Sequence, residues 1–122
     1  MSLERRDREY LSDVLEAMRR IIAYTCDLSR EQFLEDRRTQ DAVIRNIEVI
    51  GEAAKSLSAA LKAKHPAIPW KEMASMRDKV IHHYFGINYD IVWNVAKKEI
   101  PNTVHQVESV LTEVDDGNVP PD

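Results

Sequence analysis

The fold is decided by residues 39–61, which read TQDAVIRNIEVIGEAAKSLSAAL. Apolar side chains recur there every three or four positions, and this spacing places them on one face of an amphipathic helix. They are Val43, Ile47, Ile50, Ala54, Leu57 and Leu61. Because Gly costs a helix interior about 1 kcal/mol relative to Ala, we interpret Gly51 as allowing a close helix contact. The stretch predicts a long helix that ends at the prolines of HPAIPW, residues 65–70.

The same periodicity predicts helices on the N-terminal side of this stretch. One amphipathic helix runs from about Leu3 to Cys26. A short helix follows around Phe33, and either Asp27 or Ser29 can cap it. The charged residues 35–38 then form a connector to the long central helix.

On the C-terminal side the pattern predicts two further helices. The first spans about Trp70 to Tyr84, and Gly86 is a suitable stop for it. The second begins near Asn88 or Asp90 and keeps its apolar phase through Pro101, where we expect a kink. Both segments therefore extend the helical pattern almost to the end of the chain.

Together these helices predict one all-α domain, an up-and-down bundle of four to five helices over residues 1–114. The chain has 122 residues, 43% of them hydrophobic, which suits a single core and is too little for two. Residues 115–122, DDGNVPPD, are acidic and aperiodic and contain two prolines, so we expect them to be a disordered tail.

Composition also restricts the class of function. No apolar run approaches the roughly 18 residues of a membrane span, and the N-terminus lacks the apolar core of a signal peptide. We therefore expect a cytoplasmic protein that does not contact a membrane. The net charge of −4 argues against a general nucleic-acid-binding protein, although a small basic cleft could still hold one phosphate.

Arg77 departs from the apolar pattern of its predicted helix. It falls in phase with Met73, Val80 and Tyr84, where a guanidinium is costly unless it has a partner. For an isolated arginine, the simpler interpretation is a side chain that reaches solvent or pairs with a carboxylate at the bundle edge. Here, however, two histidines and a tyrosine follow within two turns, so a functional interpretation becomes attractive.

The set Arg77, His82, His83 and Tyr84 suits phosphoryl chemistry. Attack of a ribose 2′-OH on its own phosphodiester needs a proton acceptor, a proton donor and a cation facing the non-bridging oxygens. Imidazole and guanidinium groups supply these functions, so we expect neither a metal ion nor a cofactor. The remaining histidines do not show the spacing of a zinc site.

An ideal helix would not bring Arg77 and His82 together, because five residues leave them about 140° apart around the axis. Two arrangements resolve this difficulty. The helix could loosen near Gly86, or a two-fold axis could bring Arg77 of one subunit beside His82 of another. Of the two we favour the homodimer.

Three stretches carry a resemblance to a known family. They are MRDKVIHHYF at 76–85, INYDIVW at 87–93 and AVIRNIEVIGEAAKSLS at 42–58. They resemble the HepT-like toxins of the HEPN superfamily, which belong to bacterial and archaeal toxin-antitoxin pairs. The shared pattern is an Arg, four residues, a His, one residue and a Tyr, and the resemblance reaches to about Val114.

The resemblance implies a metal-independent endoribonuclease site at a homodimer cleft, with Arg77 and His82 as catalytic residues. Asp78 matches the polar residue that usually follows the Arg and would have a supporting role. His83 makes the choice of general base ambiguous, and we favour His82. The resemblance further implies a minimal nucleotidyltransferase antitoxin that can transfer AMP to Tyr84, a modification known as AMPylation.

Two functions remain open from the sequence. One is a toxin that cleaves RNA, either an mRNA or a tRNA. The other is a non-catalytic helical dimer that docks a nucleotidyltransferase or binds a nucleotide. The complete Arg-x4-His-x-Tyr pattern favours the enzyme, whereas the net acidity and the lack of a basic stripe favour the docking protein. A purely structural bundle would leave Arg77 unexplained.

Overall fold

The computed structural model describes residues 3–82 and 86–117. Three long helices form the body of the fold: α1 (Leu3–Thr25), α3 (Arg37–Ser56) and α8 (Ile100–Gly117). Shorter helices lie between them: α2 (Arg30–Glu35), α4 (Ala59–Lys64), α5 (Trp70–Ala74), α6 (Met76–Val80) and α7 (Tyr89–Asn94). Two short strands, β1 (Ile81–His82) and β2 (Gly86–Ile87), pair in antiparallel fashion, and residues Val95–Glu99 form a π-helical segment.

The core lies where α1 packs against α3 on one side and α8 on the other. Fully buried residues of these helices recur at helical spacing, so one stripe of each helix is removed from water. They include Leu11, Val14, Met18, Ile21, Val43, Ile47, Ile50, Ile100 and Val107. The predicted all-α bundle is confirmed. None of the helices among the described residues is long and apolar enough to cross a membrane.

Side-chain caps define the short connection between α1 and α3. Ser29, one of the two predicted candidates, caps α2 and forms a capping box with Gln32, in which each side chain accepts a hydrogen bond from the other residue's backbone N–H. Asp36 then caps α3 by accepting hydrogen bonds from the backbone N–H and the hydroxyl of Thr39. These two bonds hold the pKa of Asp36 below its ordinary value.

The long central helix is interrupted, which the periodicity did not predict. It ends at Ser56, and a new helix, α4, begins after Ser58, whose hydroxyl accepts a hydrogen bond from the backbone N–H of Leu61. Asp7 of α1 is buried and accepts hydrogen bonds from the backbone N–H and the hydroxyl of Ser58 at 2.9 and 2.6 Å. This distant carboxylate satisfies the polar groups of the break, so the chain can turn there.

The single helix predicted from Trp70 to Tyr84 is wrong. The helix breaks at Ser75 and ends at Val80, after which the chain is extended. Strand pairing and a hydrogen bond from the backbone N–H of Asn88 to the carbonyl oxygen of Val80, 2.8 Å long, replace the helical bonds. Gly86, which has a φ of 76°, is the first residue of β2 and does not terminate a helix.

The close contact expected at Gly51 is present. A Cβ atom at this position would lie 3.3 Å from the carbonyl oxygen of Ala74 and 3.8 Å from that of Met73. Since both oxygens belong to the backbone of α5, the missing side chain allows α5 to pack directly on α3.

The C-terminal helical region begins with Asn88, whose side chain caps α7. The chain stays helical through Pro101, as predicted, and the irregularity beside the proline is the π-helical segment, in which Ile100 N–H donates to the Val95 oxygen. Helix α8 continues to Gly117, three residues past the boundary predicted at Val114. The rest of the predicted tail, 118–122, lies outside the described residues.

Candidate active site

Arg77 lies on α6 and lines an open groove of about 310 Å³ between α1, α3 and α6. The groove is lined by Tyr10, Asp13, Arg45, Glu48, Val49, Glu52, Ala53, Ser56 and Arg77. The side chain of Arg77 is 54% exposed, whereas Met73 and Val80, which were predicted to share its helix face, are buried. The break at Ser75 explains the difference, because α5 and α6 are separate helices and do not share one helical phase.

The charges along the groove are mixed. Three carboxylates, Asp13, Glu48 and Glu52, face two guanidiniums, Arg45 and Arg77. Within the described chain, the sole carboxylate within ion-pair distance of Arg77 is the neighbouring Asp78, at 4.0 Å, and Asp78 is itself 76% exposed. The Arg77 guanidinium therefore keeps most of its donors free to bind an anion.

The backbone between Arg77 and His82 is helical up to Val80 and extended after it. It is the last residue of β1, and its backbone pairs with Gly86. The 140° separation calculated for an ideal helix therefore does not apply, and the loosening considered near Gly86 occurs already after Val80. The side chain of His82, and the whole of His83 and Tyr84, lie outside the described part of the protein.

A side-chain contact joins α6 to the C-terminal helical region. Lys79 of α6 donates a hydrogen bond of 2.8 Å to Glu99 of the π-helical segment, and Asn94 approaches the same carboxylate oxygen at 3.4 Å. The spacing of residues did not predict this pair, because 20 positions separate Lys79 from Glu99. Glu99 belongs to a π-helical segment, and such segments are frequent at functional sites. This indication comes from the structure and not from the sequence.

Trp93, part of the segment that carries the family resemblance, has a packing role. Its ring lies 5.2 Å from that of Phe33, and the ammonium group of Lys97 lies 5.1 Å from its centroid. Lys97 also donates a hydrogen bond to the carbonyl oxygen of Thr25 at the end of α1. Trp93 thus connects α2, α7 and α1 and does not line the groove of Arg77.

Within residues 3–82 and 86–117, no group of three or more histidine, cysteine or acidic side chains is arranged to hold a metal ion. The described site therefore consists of a polar groove with an exposed guanidinium, and no residue of β1 or β2 is among those that line it.

The fold and this groove define a small helical-bundle protein with a solvent-open, arginine-bearing site. Comparison with known families assigns it further: the family described as "Ribonuclease HepT-like" matches residues 14–110. The chain belongs to this family, and the resemblance inferred from the three sequence stretches is confirmed.

Individual relatives agree with this assignment. A protein of Methanocaldococcus jannaschii named "Putative RNase" is 47% identical over 108 residues, which cover 88% of this chain and 89% of the relative. The "Probable ribonuclease HepT" of Thermococcus cleftensis is 44% identical over 88% of this chain and 98% of its own. A "Putative RNase" of Caldanaerobacter subterraneus is 43% identical over 85% and 93%. No solved structure matches the chain.

Proposed function

We propose that the protein is a metal-independent endoribonuclease and the toxin of a toxin-antitoxin pair. The observation that carries the proposal is membership of the ribonuclease HepT-like family over residues 14–110, a range that includes both Arg77 and His82. The available guanidinium of Arg77 supports it, since an enzyme that cleaves RNA must neutralise a phosphodiester.

In the proposed reaction, His82 accepts the proton of a ribose 2′-OH. The resulting oxygen attacks the adjacent phosphorus, and the bond from phosphorus to the 5′-oxygen breaks. A protonated imidazole then donates a proton to that leaving oxygen. The products are a 2′,3′-cyclic phosphate and a 5′-hydroxyl, so no water or metal ion is consumed. Arg77 would bind the non-bridging oxygens, whose negative charge increases in the transition state.

A homodimer would bring two copies of these residues to one cleft. One His82 could then act as the base and the other as the acid, a division that a single imidazole cannot perform in the same step. Asp78, beside Arg77, would orient the guanidinium, and His83 is the alternative base. The proposed substrate is a cytoplasmic RNA, either an mRNA or a tRNA.

The proposed antitoxin is a minimal nucleotidyltransferase that transfers AMP to Tyr84. The physical reason is that Tyr84 lies two residues beyond His82, so an added nucleotide would bring a phosphate close to the proposed site. This phosphate would pair with Arg77, repel the RNA backbone and occupy the cleft. Modification would therefore inactivate the enzyme without unfolding it.

One observation favours the second candidate function, a non-catalytic dimer that docks a nucleotidyltransferase or binds a nucleotide. The groove carries one more carboxylate than guanidinium groups, and an RNA backbone would be repelled by this excess. A partner protein with a basic surface would not be repelled. This function requires the same fold and is distinguished from the first by activity.

Cleavage of purified cellular RNA in the presence of EDTA tests the proposal. We expect the wild-type protein, produced without its antitoxin, to generate 2′,3′-cyclic phosphate ends. Arg77→Ala and His82→Ala should each reduce the cleavage rate by about 100-fold or more, the usual effect of removing a group that acts in the transition state. Arg38→Ala is the matched control, because Arg38 is exposed on α3 and does not line the groove.

A mass spectrum should accompany each sample, since AMP on Tyr84 would by itself explain an inactive protein. Wild-type protein that carries an unmodified Tyr84 and still leaves RNA intact would contradict the enzyme and favour the docking protein. If Arg77→Ala still cleaved RNA, the role assigned to Arg77 would be contradicted, but the proposed ribonuclease activity would not.

A further inference from the structure

A second groove, of about 660 Å³, lies between α4 and α5. We call it the α4–α5 groove. Among the described residues that line it, the charged ones are Lys62 of α4 and Lys71 and Glu72 of α5, and the others are apolar or proline. Lys62 is half-buried and Lys71 is exposed. In contrast to the groove of Arg77, the α4–α5 groove therefore carries more positive than negative groups.

The positive charge of this groove is a local feature of the chain. Residues 53–71 contain four lysines and no aspartate or glutamate, although acidic residues outnumber basic ones by 21 to 17 overall. Within the described part of the protein, neither Lys62 nor Lys71 takes part in an ion pair. Asp7 and Glu113 approach this stretch from other helices, but neither carboxylate lines the groove. Both groove lysines can therefore bind an anion.

The loop that joins α4 to α5, residues 65–69, gives the groove a rigid wall. Two of its five residues are prolines, whose backbone φ is fixed. The buried Trp70 donates a hydrogen bond of 2.9 Å from its indole N–H to the carbonyl oxygen of His65. Its backbone N–H donates another, of 2.8 Å, to the carbonyl oxygen of Ile68. A groove with such a wall keeps its shape before it binds, which lowers the entropy cost of binding.

The α4–α5 groove is built from elements that adjoin those of the Arg77 groove in the chain. Ser56, at the end of α3, lines the Arg77 groove, and α4 begins three residues later. Ala74, at the end of α5, lines the α4–α5 groove, and Arg77 follows three residues later. The Cα atoms of Ala74 and Arg77 are therefore at most about 11 Å apart. An RNA strand held at Arg77 would reach the α4–α5 groove within a few nucleotides.

We propose that the α4–α5 groove binds the phosphate backbone of the RNA substrate beside the proposed cleavage site, with Lys62 and Lys71 each contacting one phosphate. This proposal rests on the proposed function, because it specifies a second contact surface for the same substrate. The Arg77 groove has an excess of carboxylates, so attraction for RNA must come from another surface. Single-stranded nucleic acid typically binds where positive charge lies beside apolar or aromatic surface, and this groove has both.

Binding of an RNA that cannot be cleaved tests the groove apart from catalysis. The probe is a fluorescently labelled single strand of about 12 nucleotides with methylated 2′-hydroxyls, and its binding is followed by anisotropy in EDTA. Each phosphate contact with a single strand contributes about −0.7 to the slope of log K against log salt concentration. Lys62→Ala and Lys71→Ala should each make this slope shallower by about 0.7 and raise the dissociation constant about fivefold at about 0.1 M salt. The double variant K62A/K71A should raise it about 25-fold, since separate contacts add.

Two control variants separate the groove from a general effect of charge or folding. Lys64→Ala removes an exposed lysine of the same helix that does not line the groove, and should raise the dissociation constant by less than about twofold. Glu72→Gln removes the carboxylate of the groove, so RNA should bind about two- to fivefold more tightly. A tighter complex cannot result from unfolding. Circular dichroism checks every variant, and Lys62→Arg should keep the wild-type affinity because it keeps the charge.

Cleavage kinetics give a second comparison. Lys62 and Lys71 bind the substrate away from the reacting bond, so the double variant should raise KM for a long RNA and leave kcat nearly unchanged. A fall in kcat at constant KM would contradict a role confined to binding.

A wild-type protein that does not bind the methylated RNA would overturn the proposal and favour an acidic protein as the ligand of the groove. Unchanged affinity in the double variant, or equal losses in Lys62→Ala and Lys64→Ala, would overturn it as well. Binding that depends on Lys62 and Lys71 in a protein that leaves RNA intact would contradict the proposed ribonuclease and retain the groove. Cleavage with an unchanged KM in the double variant would overturn only the groove.

Discussion

The pair of long helices α1 and α3 differs from the region between Trp70 and Glu99 in how its conformation is maintained. The two helices have 23 and 20 residues and bury one continuous apolar stripe each. Among the described residues of this region, the helices and strands between Trp70 and Ile87 have five residues or fewer, whereas α7 and the π-helical segment continue into α8. Elements this short are not stable alone, so contacts with the rest of the protein must hold them.

We expect this difference to separate the residues that stabilise the fold from those of the proposed site. Helices α1 and α3 contribute twelve of the buried hydrophobic residues, six each, while the shorter region carries the candidate residue Arg77 and the backbone of His82. An uninterrupted helix would place these two residues on different sides, so the proposed site requires the breaks at Ser75 and after Val80.

The largest effect on stability should come from the long helices. Ile47→Ala removes a fully buried side chain of α3, and we expect it to lower the free energy of unfolding by about 2–5 kcal/mol. Ile81→Ala is the matched change in β1, where the side chain is half-buried, and about 1 kcal/mol is expected. Urea unfolding followed by circular dichroism measures both values. Equal decreases in the free energy of unfolding for the two variants would contradict the difference in stability between the long helices and the short elements.

Gly86→Ala should have an intermediate effect. A Cβ atom there would meet nothing within 4 Å, so the cost arises from the φ of 76° alone and should be about 1–2 kcal/mol. Gly86→Asn is the control, because Asn tolerates this conformation better than Ala.

Because Gly86 pairs with His82, RNA cleavage should fall in the order wild type, Gly86→Asn, Gly86→Ala. A substantial loss of stability without any change in cleavage would show that the hairpin geometry does not matter for the reaction.

The smallest effect should be a dependence on pH at the start of α3. The pKa of Asp36 is lower in the folded protein than in the unfolded chain, chiefly because the Thr39 backbone N–H bonds to its carboxylate. The stabilisation is therefore present above the ordinary carboxyl pKa and is lost as the pH falls through the lowered value. Asp36→Asn keeps a capping side chain but cannot titrate, so its stability should decline less in acid.

Thr39→Val sharpens this test, since it removes the hydroxyl donor and retains the backbone donor. Urea unfolding at neutral pH and below pH 4 should show a smaller acid loss for Thr39→Val than for the wild type, and the smallest for Asp36→Asn. Identical acid losses in all three proteins would mean that Asp36 does not contribute to the dependence.

The reason for which the sequence singles out Arg77 as a candidate residue is partly mistaken. Arg77 attracted attention as a charge on an apolar stripe, yet its side chain faces an open groove. The apolar stripe assumes one continuous helix from residue 70 to 84. Because the helix breaks at Ser75, Arg77 does not share a helix face with Met73. The combination of Arg with His and Tyr, together with the family resemblance, still makes this segment the candidate site.

By itself the sequence determined the long helices, the close contact at Gly51 and the family, and it limited the caps of α2 and α7 to two candidate residues each. Periodicity and capping are properties of residues near one another in the chain, which is why they can be read without coordinates. The tertiary structure alone decided where the helices stop. Asp7 supports the break at Ser58 from 51 residues away, and Asn88 binds the end of α6. Such bonds join residues that are distant in sequence, and no local pattern specifies them.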